Sequence, residues 1–526
     1  MRLLFCFCAF VCGSNAAAAE KGPEPAAAQN VVLLVWDGMR PDFVREETTP
    51  TLWQLSRNGV TFPNHHAVYP TATEVNGTAL ATGVYPRRSG LMGNWEYRPE
   101  IDARKPVSRE TPDALRRGDE LTGGKYLALP TLAERVQAAG FRTAVAGTKW
   151  GTVLQDRHQE RRTKAARESL LFFGKGTVPD AGMQTLRRVL GAFPSEVQHP
   201  NHHQDSWTTT ALTDVLWKEG VPRFSLLWLS DPDFTQHHTA PGSPAALAAM
   251  KHSDDRLATV LRALEQNGAR DTTNVIVVSD HGFSTVVRSV DVVELLNGAG
   301  FTAVKEFVEK PNRGDILVAG NGGSVFFYVI ERDPPTMARL VEWLQRSDFA
   351  GVLFSRTEIA GTFPLKEVQI DTPAAPDVVM GFRWSDAPNE YGVRGAIQAD
   401  WRRKAGHGSH ASFSRFDVNA TCVAAGPGFR RDFTAPHPSG NVDIAPTVLR
   451  LLGLESKEKL DGRVLEETLR DGEFPRLEPH REITSAARDF ENGRWEQRLQ
   501  LWRIAEQTYY SEANGGFTAA SPAPVQ

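Results

Sequence analysis

Three apolar runs in this chain stop at residues that bind metal ions. Val31-Val32-Leu33-Leu34-Val35-Trp36 runs into Asp37. Phe224 to Leu229 runs into Asp231-Pro232-Asp233, with His237 and His238 close behind. Val275 to Ser279 runs into Asp280-His281-Gly282. Each run reads as a buried strand, and ligands of open α/β sheets collect at the carboxyl ends of strands. An Asp at one strand end is by itself a turn former or helix cap. Three ends that each deliver such groups predict one shared crevice. Asp37, Asp233 and Asp280 gathered in a desolvated cleft need counter-charge, which divalent cations supply most simply. Asp with His and no Cys suits zinc or manganese better than calcium.

A hydroxyl candidate lies in Tyr69-Pro70-Thr71-Ala72-Thr73-Glu74-Val75-Asn76-Gly77. Pro70 ends an extended segment and Glu74 to Ala81 is helix-compatible, so Thr73 falls at a helix N-terminus. There its side chain either caps the helix or, with the free N–H groups of the first turn, faces an anion. A hydroxyl is a weak nucleophile, and coordination to a metal would activate it without a His base. Asn76, one turn on, is spaced to donate its amide to a phosphoryl oxygen. His65, His66, His202, His203 and His252 read as surface or core residues.

The elements that must position these groups follow a repeating grammar of apolar strand, polar turn and amphipathic helix ending at Gly. Helices are predicted at Thr131 to Ala139, Ala245 to Gln266 and Asp443 to Leu452, closed by Gly140, Gly268 and Gly453. Further strands are predicted at Phe141 to Ala146 and Thr421 to Ala425. Continuous apolar strands alternating with helices predict an α/β fold, a largely parallel, doubly wound sheet with helices on both faces. Residues 94–124, rich in Arg, Glu and Pro, read as a loop or small lid. Residues 300–405 are less regular and read as an inserted smaller subdomain. Residues 471–526 form a polar, Trp-rich C-terminal extension, with disorder expected from Gly515 onward. Lys149-Trp150 and Asn94-Trp95 are candidates to frame a substrate's leaving group.

Composition bounds the function. With 526 residues, a net charge of −4 and 41% hydrophobic residues, the chain is globular and has no basic footprint for a nucleic-acid groove. Met1-Arg2, the apolar run Leu3 to Gly13 and the small residues Ala16 to Ala19 read as an export signal over 1–19, followed by a flexible leader at 20–29. The expected location is periplasmic or extracellular. No other apolar stretch is long enough to span a bilayer. Removal of the signal leaves Cys422 as the one thiol, in an apolar run that suits a packed core residue. Nothing in the sequence fixes the oligomeric state.

Taken together, the marks resemble the alkaline phosphatase superfamily, in particular its nucleotide pyrophosphatase/phosphodiesterase branch. They are Asp37-Gly38-Met39-Arg40-Pro41-Asp42, Thr73 to Asn76 with Thr82-Gly83-Val84-Tyr85-Pro86 and Ser89-Gly90, Pro232-Asp233 with His237, and Ser279-Asp280-His281-Gly282. Gly408-Ser409-His410 with Gly426-Pro427, and Asn441 to Thr447 with Asp461-Gly462-Arg463, complete them. The resemblance runs from about Asn30 to Leu465 and implies a catalytic domain over residues 30–470 with two zinc sites, manganese being an alternative metal. Asp233, His237 and His410 would hold one metal, and Asp37, Thr73, Asp280 and His281 the other. It further implies that Thr73 attacks phosphorus to form a phospho-threonine, which water then releases. The expected substrate is a small phosphodiester or nucleotide-like molecule. His410 is preferred to His407 as the last ligand on its spacing to Gly426-Pro427. Glu74-Val75 stands where relatives often have Phe-Pro.

Other reactions on this scaffold fit less well. A sulfatase needs Cys or Ser followed by x-Pro-x-Arg, and Thr73-Glu74-Val75-Asn76-Gly77 lacks it. A phosphomonoesterase usually adds an Arg near the nucleophile, whereas Arg87-Arg88 come only after the helix. A phosphonate hydrolase shares the Thr nucleophile and stays open, as does a non-catalytic, metal-binding exported protein.

Overall fold

Alternation along one strand explains the architecture. Val31, Leu33 and Val35 of Asn30–Trp36 enter one apolar core, and Val32, Leu34 and Trp36 enter another. A strand buried on both faces must lie inside a sheet with helices on each side. The computed structural model, which describes residues 29–108, 112–474 and 476–520, places this strand at the middle of a nine-stranded sheet. From one edge the order is Phe433–Thr434, Val60–Thr61, Cys422–Ala425, Thr273–Val278, Asn30–Trp36, Phe224–Leu229, Thr143–Gly147, Leu170–Phe173 and Gly176–Val178. The five strands from Thr273–Val278 to Leu170–Phe173 run parallel. Cys422–Ala425 joins them antiparallel, with Cys422 free and buried. The fold is the α/β, largely parallel, doubly wound sheet that the sequence predicts.

Helices Thr73–Thr82 and Ile444–Leu451 cover one face through Val75, Ala79, Leu80, Val448 and Leu449. Pro50–Asn58 and Pro244–Gln266 cover the other through Leu52, Leu55, Met250, Leu257, Val260 and Leu264. Burial of each of these Val, Leu and Met side chains contributes roughly 1.5–3 kcal/mol, whereas the Ser243 cap of helix Pro244–Gln266 contributes about 1 kcal/mol. Packing therefore fixes where that helix lies, and the cap fixes where it starts.

Two further layers sit beside the sheet. A six-stranded sheet runs Ala303–Val304, Ile316–Gly320, Ser324–Val329, Val378–Phe382, Ala350–Ser355, Phe363–Pro364, and helix Pro334–Gln345 packs on it. A four-stranded sheet of Trp384–Pro388, Arg394–Asp400, Ser284–Val290 and Gly408–Ser409 links it to the strand ends.

Two expectations need correction. Residues 94–124 are not all loop, because Pro112–Thr122 is a helix that rides on Tyr126, with Gly118 so close that a Cβ there would come within 2.5 Å of the ring. Its one buried apolar side chain, Leu115, gave too thin a pattern to read. Nor does disorder begin at Gly515, because the strand Gln507–Ala519 continues through it, and residues 521–526 lie outside the described residues. That strand pairs with Gly493–Ile504, itself paired with His480–Phe490. Gly515 and Gly516 resemble a linker but sit opposite Gln497 and Glu496, where a Cβ on Gly515 would lie 2.7 Å from Gln497. The export signal at 1–19 and the leader up to residue 28 lie outside the described residues. Among the described residues, no helix is long and apolar enough to cross a membrane.

Candidate active site

The three neighbouring strands Thr273–Val278, Asn30–Trp36 and Phe224–Leu229 end side by side, so their terminal residues share one crevice. Asp233, His237 and His410 form one group that could hold a metal ion, and Asp37, Asp233 and His281 a second. His237 Nε2 lies 3.2 Å and His410 Nε2 3.4 Å from Asp233 Oδ2. His281 Nε2 lies 3.2 Å from Asp280 Oδ2, 3.7 Å from Asp37 Oδ1 and 3.2 Å from Thr73 Oγ1. Two ligands on one tetrahedral zinc stand roughly 3.3 Å apart, given bonds of about 2.0 Å. These separations match that spacing.

Proton placement sharpens the fit. Nδ1 of His281 and His410 donates to the carbonyls of Gly282 and Thr71 at 2.9 and 2.8 Å, whereas Nδ1 of His237 lies 3.0 Å from the Gly408 carbonyl and 3.1 Å from Arg403 Nη1. A carbonyl only accepts, so on His281 and His410 Nδ1 carries the hydrogen and Nε2 presents a lone pair. Those lone pairs face Asp233 Oδ2, Asp37 Oδ1 and Asp280 Oδ2, three buried oxygens with no hydrogen-bond partner among the described residues. Acceptors turned toward acceptors in a buried site are costly unless a cation lies between them. The donor set therefore suits divalent metals. His407 stands apart, its Nδ1 bonded to the His237 carbonyl at 3.1 Å.

Thr73 is the first residue of helix Thr73–Thr82. The residue before it, Ala72, occupies the capping position, and no side chain caps the helix. Its hydroxyl points instead to His281, so it does not serve as a helix cap.

Asn76 does not reach the crevice, which corrects the expected catalytic role. Its Nδ2 donates to the carbonyls of Val68, Pro70 and Ala72, and its Oδ1 accepts from Val68 N and Asn441 Nδ2. With its amide consumed, it moulds the turn before the helix. The same Asn441 Nδ2 donates to the Asp280 carbonyl at 2.7 Å, which ties that turn to the strand end that carries Asp280. The amide on the pocket wall beside Thr73 belongs to Asn94, whose Oδ1 accepts from Glu74 N at 3.1 Å. The sequence offered Asn94 only as a frame for the leaving group.

Lys149, just past strand Thr143–Gly147 and offered by the sequence only as a frame for the leaving group, lines the pocket and also makes ion pairs that the sequence did not foresee. Its Nζ lies 2.9 Å from Asp37 Oδ2 and 2.5 Å from Asp233 Oδ1. Trp228 Nε1 also donates to Asp37 Oδ2, at 2.9 Å. Burial opposes charge on Lys149, but Asp233 and Asp37 override it and hold the ammonium well above its ordinary range. Burial and the Asp280 charge push Asp37 well up. Burial would raise Asp233 too, yet Lys149 and then His237 hold it well below the usual carboxylate range. Burial lifts Asp280 to about 7 against the pull of Lys149. Burial lowers all three imidazoles: His237 to about 4, helped by Arg403, and His410 well down, helped by His281. Neutral imidazole is the form that binds a metal.

The crevice opens into a pocket of about 560 Å³ lined by Thr73, Asn94, Trp95, Lys149, His199, Asp233, His237, His238, Asn321, Arg402, Arg403 and His410. Arg402 stacks 4.0 Å over Trp95. Trp150 is not on this wall, and Lys175 covers its ring. His65 and His66 are buried and hydrogen-bonded to Ser439, Asn441, Asn64 and the Tyr510 carbonyl. His202 contacts His203 and stacks on His252.

Known proteins resemble this chain in sequence and in fold. Residues 31–342 match the family described as Type I phosphodiesterase / nucleotide pyrophosphatase. Venom phosphodiesterase 2 of Crotalus adamanteus is 23% identical over 263 residues, 49% of this chain and 27% of that protein. Human ectonucleotide pyrophosphatase/phosphodiesterase family member 7 is 24% identical over 277 residues, 52% of each chain. The match thus spans about a quarter of the venom enzyme and about half of the human protein. Among solved structures, murine ectonucleotide pyrophosphatase/phosphodiesterase 5, an inactive threonine-to-alanine variant in complex with AMP, superposes with a TM-score of 0.57. It is 16% identical, and the match covers 84% of this chain and 100% of that one. Human ectonucleotide pyrophosphatase/phosphodiesterase 5 gives 0.56 at the same identity and coverage. The chain belongs to the type I phosphodiesterase / nucleotide pyrophosphatase family.

Proposed function

We propose that this protein is an exported hydrolase that cleaves phosphodiester or pyrophosphate bonds at a two-zinc site through a phospho-threonine on Thr73. The observation that carries the reading is the set of acceptors turned on one another: three buried carboxylate oxygens without hydrogen-bond partners among the described residues, the Nε2 lone pairs of His281 and His410 facing them, and Thr73 Oγ1 3.2 Å from His281. Asp233, His237 and His410 would hold one metal, and Asp37, Thr73, Asp280 and His281 the other. Bound there, the metals supply Lewis-acid charge to the oxygens around phosphorus and make the Thr73 hydroxyl acidic.

Thr73 Oγ then attacks phosphorus, and the bond to the leaving alcohol or phosphate breaks as the new ester forms. Water cleaves that ester from the opposite side, which frees a phosphomonoester and restores the hydroxyl. Asn94, fixed by its bond to Glu74 N, is placed to donate Nδ2 to a phosphoryl oxygen. Asp280, Asp37 and the imidazoles hold the centre, and the wall around Trp95 and Arg402 receives the leaving group. The AMP bound by the murine relative supports a nucleotide-like substrate. The apolar N-terminal run supports export to a periplasmic or extracellular site.

Hydrolysis of bis-p-nitrophenyl phosphate beside p-nitrophenyl phosphate, with zinc and then with excess chelator, tests the reading. It predicts a diester preference that the chelator abolishes. Monoester preference, or turnover indifferent to chelator, overturns it.

A further inference from the structure

The two carboxylates nearest Lys149 divide their oxygens. Asp37 gives Oδ2 to Lys149 and Trp228, and Asp233 gives Oδ1 to Lys149. The remaining oxygens, Asp37 Oδ1 and Asp233 Oδ2, face the imidazoles of the two different metal groups. We infer that Lys149 is a positioning residue that clamps the two metal sites together and supplies their counter-charge until metal arrives. The inference rests on the two-metal reading above.

Several features make the clamp specific. Lys149 is nine-tenths buried and follows a parallel strand of the central sheet, so it approaches from the same edge as the ligands. The Thr148 N–H donates to the Trp228 carbonyl at 3.0 Å, and the Phe234 ring lies 5.0 Å from the ammonium. The stem is thus held between the two ligand-bearing segments. Because Lys149 takes only the outer oxygens, metal binding and the clamp are compatible. Neither carboxylate can rotate toward a metal without breaking its bond to the ammonium, so both inner oxygens are aimed in advance. Without Lys149, the metal-free centre would hold Asp37, Asp233 and Asp280 with no cation between them. Loss of one partner of a buried charge cluster leaves uncompensated charge in the interior and is strongly destabilising.

The test is thermal melting of wild type, Lys149→Met and Lys149→Arg, each stripped of metal and then loaded with zinc, with metal content measured on the same samples. Met keeps the stem and removes the charge, whereas Arg keeps the charge. The stripped Lys149→Met variant should melt roughly 3–5 °C below stripped wild type. Zinc should close most of that gap, and Lys149→Arg should track wild type throughout. A Lys149→Met variant that folds only with zinc is the same result in stronger form. A gap that zinc leaves unchanged, no gap at all, or a variant unfolded even with zinc overturns the inference. If wild type itself takes up no zinc and gains no stability from it, the two-metal reading fails instead.

Discussion

Side chains a few ångströms apart in this site do opposite kinds of work. Asn76 and Asn94 are both amides near Thr73, but their bonds assign them different roles. Asn76 makes its contacts to the turn before helix Thr73–Thr82 and to Asn441, all buried. Asn94 keeps its Oδ1 on the helix and lines the open pocket. Asn76→Ala strands several buried partners and should cost about 2–4 kcal/mol, or roughly 2–4 °C in Tm for a chain of this size. Asn94→Ala should leave Tm within about 1 °C and cut kcat by about 10²–10³. Melting curves and turnover on the two variants check this, and the reverse pattern would return Asn76 to the reacting centre. Spacing alone could not separate the pair. One turn after Thr73 is a reasonable place for a donor, and only the path of residues 68–72 reveals that the Asn76 amide is occupied.

Among the elements, helix Thr73–Thr82 carries an apparent flaw. Gly77 lies in its interior, where Gly costs up to about 1 kcal/mol against Ala. A Cβ there would come 2.7 Å from Trp228, whose indole N–H holds Asp37. Gly77→Ala should gain helix propensity of about 1 kcal/mol and lose about 1–3 kcal/mol to overpacking. We expect a variant no more stable than wild type, with weaker zinc binding and lower turnover because Asp37 is displaced. Zinc titration and a melting curve decide this, and a more stable variant with full zinc affinity would contradict it. The strands were far easier to read. Val31 to Trp36 and Phe224 to Leu229 are unbroken apolar runs ending in acids, and a run buried on both faces leaves little choice but the middle of a parallel sheet. Helix Pro112–Thr122, with Leu115 as its one buried apolar side chain, and the Lys149 contacts were hidden. Each depends on a partner distant in sequence.

Across the whole molecule, the site is closed from parts that the central sheet does not own. His410 follows the short strand Gly408–Ser409 of the four-stranded sheet, and Ala513 N bonds to the Phe413 carbonyl just beyond it. The C-terminal sheet also buries Trp495 against the layer around Pro334–Gln345, with its indole N–H on the Gly361 carbonyl. Polar stretches and a Gly pair made this region look loose, but Leu499, Leu501, Tyr509 and Tyr510 are core residues. Trp495→Ala should therefore cost about 3–5 kcal/mol, read as a fall in Tm. A fall of less than about 1 °C would mean that the C-terminal sheet is an appendage.

The central claim is that Thr73 itself attacks phosphorus. Its most direct test is the turnover of bis-p-nitrophenyl phosphate by Thr73→Ala after metal loading, with metal content and melting measured on the same preparation. The account predicts wild-type folding, at least most of the metal, and a loss of roughly 10³-fold or more in kcat. A fully loaded Thr73→Ala protein that turns over at the wild-type rate would contradict it.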